Sequence, residues 1–226
     1  MQNIKICIPV IGRNLEEFLE NLNKIQKICD CVELRVDYIK NLKIKDIEVI
    51  KNEVKKEAIF TCRKKDEGGK FAGSEKERLE ILEKALELDF DYVDIELSSI
   101  NQINLSAKNK EAKIICSYHN FKKTPDYKEL EIIANQMREY KASVLKIATM
   151  SHNEEDNRKL FKLLLNKCKE EKMIVLGMEE VGKITRILLP LLGGYLTYAN
   201  IDSSEIASGQ INIEELENIY KSFPLL

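Results

Sequence analysis

"VELRVDYI", residues 32–39, alternates ionic and apolar side chains. By the two-residue period of a strand, Glu33, Arg35 and Asp37 share one face, while Leu34 and Val36 share the other. In an antiparallel sheet such a stretch is an amphipathic strand with its charges in water. In a closed parallel sheet both faces are covered, so the same charges point inward, where they need mutual pairing or a polar ligand. The rest of the chain decides between these readings.

Comparable runs recur along the sequence: "IKICIPV" (4–10), "AIFTC" (58–62), "YVDIEL" (92–97), "KIICSY" (113–118), "VLKIAT" (144–149), "MIVLGM" (173–178) and "YLTYA" (195–199). Helical patterns separate them: "LEEFLENLNKIQKI", a weaker one over 43–55, "SEKERLEILEKALEL", a short one near 98–108, "YKELEIIANQMREY", "NRKLFKLLLNKCKE", "GKITRILLPLL" and "IEELENIYKSF". Strict alternation calls for parallel strands joined by helical crossovers. Eight such units in 226 residues fit a (β/α)8 TIM barrel, one domain over residues 1–226, better than an open doubly wound sheet. The open sheet remains the alternative, although no G-x-G-x-x-G follows the first strand and no Walker-type loop is present.

Composition sets further limits. With 44% hydrophobic and 33% charged residues the chain can bury a large core, and no low-complexity tract marks an internal boundary. A formal charge of -2 gives no general field to attract nucleic acid or an anionic membrane. No apolar run approaches the roughly 20 residues of a membrane span, and the N-terminus enters a strand without a signal-peptide layout. The six cysteines lack zinc-ribbon spacing, and only His119 and His152 could help them bind a metal, so neither a metal site nor a disulfide framework is expected. A reducing cytoplasm is the expected compartment.

In a barrel of this kind the active site is expected at the C-terminal ends of the strands and in the loops that follow. Polar residues collect there. Besides Glu33 and Arg35, "TCRKKDEGGKF" places Arg63 and Glu67 before a Gly-Gly loop that lets backbone approach a ligand. "YVDIEL" adds Asp94 and Glu96, and "IICSYHNF" puts Ser117 and His119 on one face. A lone histidine is more often structural than catalytic, but His119 stands at a strand's C-terminal end.

Lys146 interrupts an otherwise apolar strand and shares a face with the small residues Val144 and Ala148. Its ammonium could pair with a carboxylate such as Glu33 or Asp94, or snorkel to the barrel mouth. Alternatively, burial together with Arg35 and Arg63 disfavours the charged form and yields an amine able to attack a carbonyl and form an imine. Arg186 sits near the start of a helical pattern, and "IDSSEIASGQI" supplies a polar loop with Gly209 and Gln210.

"ELRVD", "TCRKKDEGG", "SYHNF", "LKIATM", "GKITR" and "SGQI", in that order, resemble the type I 3-dehydroquinate dehydratase family over nearly the whole chain. The resemblance implies loss of water from 3-dehydroquinate through an imine on Lys146, without a cofactor. His119 matches the family's general base, and Glu67 the carboxylate that orients it. Glu33 and Arg35 correspond to residues that hold substrate hydroxyls, Arg63 to a contact on the ring's polar edge, and Arg186 with Gln210 to the grip on the substrate carboxylate. The resemblance also implies a homodimer and a lid formed by "IDSSEIASGQ".

Two places depart from the family pattern. Many members have serine four residues and proline two residues before the glutamine; here those positions hold Ile206 and Ser208. Either Ser208 supplies the hydroxyl from a shifted position or that contact is missing. Glu179 and Glu180 make their loop more acidic than the pattern. Two other functions fit a barrel: an imine-forming aldolase or transaldolase, which would need a phosphate site in the last loops, and a catalytically silent barrel that binds a small acid.

Overall fold

Side chains just ahead of the helices set where several of them begin. Asn14 accepts from the Glu17 N–H at 2.9 Å and starts α1 (Leu15–Ile25). Ser74 and Glu77 cap each other at the head of α3 (Glu75–Glu87), and Asn153 accepts from the Asp156 N–H to open α5 (Glu154–Leu165). The computed structural model describes residues 4–104, 113–201 and 209–223.

The strands are β1 (Ile6–Val10), β2 (Cys31–Arg35), β3 (Glu57–Thr61), β4 (Tyr92–Glu96), β5 (Lys113–Asn120), β6 (Val144–Met150), β7 (Met173–Met178), β8 (Thr197–Asn200) and a short β9 (Ile211–Asn212). The remaining helices are α2 (Ile44–Glu53), α4 (Tyr127–Glu139), α6 (Glu179–Leu191) and α7 (Ile213–Ser222). The sheet order is β7-β6-β5-β4-β3-β2-β1-β8-β9, and every pairing among the described residues is parallel. Tyr195 N, just before β8, donates to Met173 O at the start of β7 at 2.8 Å, so the ring comes round on itself. The fold is a (β/α)8 TIM barrel, and the open doubly wound sheet is excluded.

Two apolar clusters hold it together. The larger lies between strands and helices, with Phe18, Leu22, Leu34, Phe60, Leu82 and Ile147 among its members. The smaller lies inside the ring, where Cys7, Cys31, Ile59, Tyr92, Ile115, Val144, Ile174 and Leu196 plug the end at which the strands begin. Two residues further along the same inward faces stand Glu33, Thr61, Asp94, Ser117 and Lys146, all buried. The period of two thus stacks a polar layer on an apolar floor.

Several expectations change in detail. β2 ends at Arg35 and turns into a 3-10 segment, Val36–Tyr38, so Asp37 does not continue the strand. A clamp accompanies the turn: Arg35 Nε and Nη2 donate to Asp37 Oδ1 and Oδ2, both at 2.8 Å. Of the helical pattern near 98–108, the described part forms only a three-residue 3-10 turn, Ile100–Gln102. β9 was not expected; it lays Ile211 beside Ala199.

Phe60 is fully buried in β3, its ring 4.9 Å from that of Phe90. Phe60→Ala is expected to cost about 3–5 kcal/mol in urea unfolding. A loss under about 1 kcal/mol would mean the outer core does not pack around this ring.

Candidate active site

A cavity of about 210 Å³ opens at the C-terminal ends of the strands. Glu33, Arg35, Arg63, Glu67, His119, Lys146, Arg186 and Gln210 all line it. Of the residues to which the family resemblance gives a role, Ser208 alone is missing, because it, like Ile206, lies outside the described residues; Asp94, Glu96 and Ser117 stand behind the lining. Apolar walls come from Phe121, Leu176 and Met178.

Lys146 projects from β6 at the level of Ser117 on β5. Its Nζ donates to Glu33 Oε1 and to Asp94 Oδ2, each at 3.0 Å, and sits 4.6 Å from the centre of the Tyr198 ring. Glu33 also accepts from Thr61 Oγ1 at 3.2 Å and from Tyr198 OH at 3.5 Å. The pairing of Lys146 with Glu33 or Asp94 that the sequence allowed is present with both, and neither Arg35 nor Arg63 is an unpaired cation. Arg35 is clamped by Asp37, and Arg63 is paired with Asp94 at 2.7 Å and Glu96 at 3.0 Å.

Asp94 is the hub of this layer. Burial alone would raise its carboxyl, but Arg63 and Lys146 drive it far below the usual carboxylate range. Ser117 Oγ donates to its Oδ1 at 2.5 Å and accepts from Arg63 Nη1 at 2.8 Å. Any polar group that meets Arg63 shares a fork already committed to these partners.

His119 stands one inward position above Ser117 on β5. Glu67 Oε2 lies 3.0 Å from its Nδ1 and also accepts its backbone N–H at 3.2 Å. An ionised carboxylate only accepts, so Nδ1 carries the hydrogen and Nε2 keeps a lone pair. Burial, aided by the cations of Arg63 and Lys146, holds the imidazole well below its ordinary value of 6.5. Burial also raises the Glu67 carboxyl, with Arg63 opposing. Phe121 stacks near His119, ring centres 6.5 Å apart and planes 19° from parallel. Gly68 permits this roof: its φ is +79° and a Cβ there would meet the Phe121 ring at 2.3 Å.

Arg186 is the eighth residue of α6 rather than near its start, because the helix begins at Glu179. Gly182 brings the helix against β7, where a Cβ would lie 2.4 Å from the Gly177 carbonyl carbon. Thr185 Oγ1 accepts from Gly177 N at 2.8 Å and donates to Gly182 O at 2.6 Å. Four residues after Arg186 comes Pro190, which has no N–H for the Arg186 carbonyl. Thr197 Oγ1 and Tyr220 OH donate to that carbonyl instead, at 2.9 and 2.8 Å. "GKITR" is therefore a docking motif that carries a buried arginine to the cavity.

Tyr198, Phe121 and Asp37 were not among the expected site residues. Tyr198 and Phe121 had weak signals, at a strand's C-terminal end and two residues after His119. Among the described residues no group of three or more His, Cys, Asp and Glu side chains is placed to hold a metal ion, and no helix is long and apolar enough to cross a membrane.

Since the folded imidazole binds its proton more weakly than the unfolded one, His119 contributes stability that is complete above pH of about 6.5. That contribution is lost as pH falls from there toward the folded value. His119→Gln should flatten the fall in Tm over this acidic window. In the wild type, the His119 ring proton resonances should titrate with a midpoint well below 6.5; a midpoint above it would contradict the placement.

Residues 6–225 match the family described as type I 3-dehydroquinase. A 3-dehydroquinate dehydratase of Coxiella burnetii is 47% identical over 219 residues, covering 97% of this chain and 93% of that protein. A type I 3-dehydroquinate dehydratase from Clostridium difficile, solved with covalently modified comenic acid, superposes with a TM-score of 0.86 at 28% identity, covering 96% of this chain and 91% of that one. The 3-dehydroquinate dehydratase from Aquifex aeolicus gives 0.80 at 31% identity, covering 99% and 100%.

Proposed function

We propose that the chain, which belongs to the type I 3-dehydroquinase family, removes water from 3-dehydroquinate through an imine on Lys146. The observation that carries this reading is the buried Lys146 amine sharing one cavity with an imidazole held neutral. The Clostridium difficile relative, solved with covalently modified comenic acid, is in keeping with covalent chemistry in this family.

Substrate hydroxyls that donate to Glu33 compete with Lys146 for its Oε1. Loss of that acceptor loosens the ammonium, and Nε2 of His119 can take its proton. The free amine attacks the ketone carbon, and the carbinolamine hydroxyl leaves as water with the proton His119 took from Lys146, giving a protonated imine and a neutral imidazole again. This cation draws electrons from the adjacent carbon, so His119 can remove a proton there. The electron pair expels the neighbouring hydroxyl, which leaves as water with the proton His119 returns. Water then hydrolyses the imine, restoring Lys146 and releasing 3-dehydroshikimate. Glu67 keeps Nδ1 protonated throughout, so Nε2 always faces the reaction.

Arg186 and Gln210 would hold the substrate carboxylate, and Glu33, Arg35 and Arg63 its hydroxyl-bearing edge. Ser208, if it closes over the cavity, would add a hydroxyl. No specific observation favours an aldolase or transaldolase acting on a sugar phosphate. On the family resemblance we further propose a homodimer, and six free cysteines are compatible with a reducing cytoplasm.

Borohydride added during turnover should fix ligand mass on the peptide containing Lys146, and Lys146→Ala should lower kcat by about four orders of magnitude or more. Turnover by the wild type with no trapped adduct would overturn the imine. Arg186→Ala should raise KM by about 30-fold, the loss of one charge-assisted grip, and also lower kcat if that grip tightens in the transition state. An unchanged KM would remove Arg186 from the carboxylate site.

A further inference from the structure

The charges around Lys146 continue past the cavity in one alternating row. Lys146 Nζ lies 3.0 Å from Asp94 Oδ2, which lies 2.7 Å from Arg63 Nη2. Arg63 Nη1 lies 3.0 Å from Glu96 Oε1, and Glu96 Oε2 lies 2.8 Å from Arg78 Nη1. Arg78 ends the row on Glu75 at 2.7 Å, where the carboxylate is 41% exposed. Arg78 lies outside the cavity lining, on α3 behind the sheet, yet only 1% exposed. Its other donors go to Cys62 O at 2.8 Å and Ser99 Oγ at 2.9 Å.

We propose that Arg78 is a positioning residue for Lys146, acting through Glu96, Arg63 and Asp94 to set how tightly the amine is held at the foot of the cavity. The inference rests on Lys146 being the nucleophile. A buried carboxylate without a partner is strongly disfavoured, so each one in this row takes what cation it can reach. Glu96 divides itself between two guanidinium groups, which leaves Arg63 free to divide itself between Glu96 and Asp94. Without Arg78, Glu96 keeps the Lys64 N–H at 3.2 Å but has Arg63 as its one remaining cation, and draws its fork away from Asp94. Asp94 then closes on Lys146, its remaining cation, and holds the ammonium away from an incoming ketone. Neutralising Glu96 as well removes the competitor and returns Arg63 to Asp94.

The test compares wild type, R78M, R78K and the double variant R78M/E96Q, each checked for a cooperative thermal transition. R78M is expected to lower kcat, and the rate at which borohydride traps the 3-dehydroquinate adduct, by about tenfold or more. KM should change less than kcat, since Arg186 and Gln210 are untouched and only the Arg63 edge of the substrate site moves. The double variant should recover most of the lost kcat and of the trapping rate per folded enzyme, a catalytic readout that a loss of stability alone would not move. R78K keeps a cation beside Glu96 and is expected to fall between R78M and wild type; it carries the test if R78M does not fold. Wild-type kcat in R78M or R78K, or a loss that E96Q fails to repair, would overturn the inference. A wild type that turns over without being trapped would instead defeat the imine reading.

Discussion

One ammonium between two carboxylates organises the interior of this barrel. Lys146 lies 3.0 Å from both Glu33 and Asp94 on strands β2 and β4. A charge at that depth is tolerable only if it is paired, and its partners must in turn be paired. Thr61 and Tyr198 attend Glu33, while Ser117 and Arg63 attend Asp94. The layer is polar because it answers this charge, and it can be polar because the floor beneath it is apolar and closed.

The same burial that makes pairing obligatory keeps His119 neutral, and this links packing to reactivity. An imidazole beside Arg63 and Lys146 gains a proton only against their repulsion and against lost hydration. Asp94 opposes this too weakly to charge the ring, and Glu67 fixes which nitrogen carries hydrogen. In the proposed reaction a base is thus kept ready next to the amine of Lys146. The Phe121 roof, possible because residue 68 is glycine, limits water on the imidazole's face.

The sequence reveals the groups proposed to react more clearly than their supports. Lys146 and His119 stand out because alternation of strand and helix implies a parallel barrel, and the two-residue period then points both inward. Arg35 and Asp37 are visible as charges in "ELRVD", but their clamp is not, because it forms only when the strand stops between them. Arg78 reads as one more charge in "SEKERLEIL", an ordinary solvated helix face; its burial depends on Glu96 and Ser99, which arrive from elsewhere in the chain. Arg186 is likewise visible, while the acceptance of Thr197 and Tyr220 by its carbonyl follows from Pro190 and from the packing of α6 between β8 and α7. Local pattern reports which face a side chain takes; long-range pairing decides what that side chain can do.

The most direct test of the lysine chemistry follows the ketone oxygen. An imine must expel that oxygen as water and regain one from solvent when it is hydrolysed. With 3-dehydroquinate labelled with heavy oxygen at the ketone and turned over in ordinary water, mass spectrometry of freshly formed product should show the label lost at every turnover, faster than spontaneous exchange. Product that keeps the label would mean the ketone is never replaced by Lys146, and the account of the buried amine would fail.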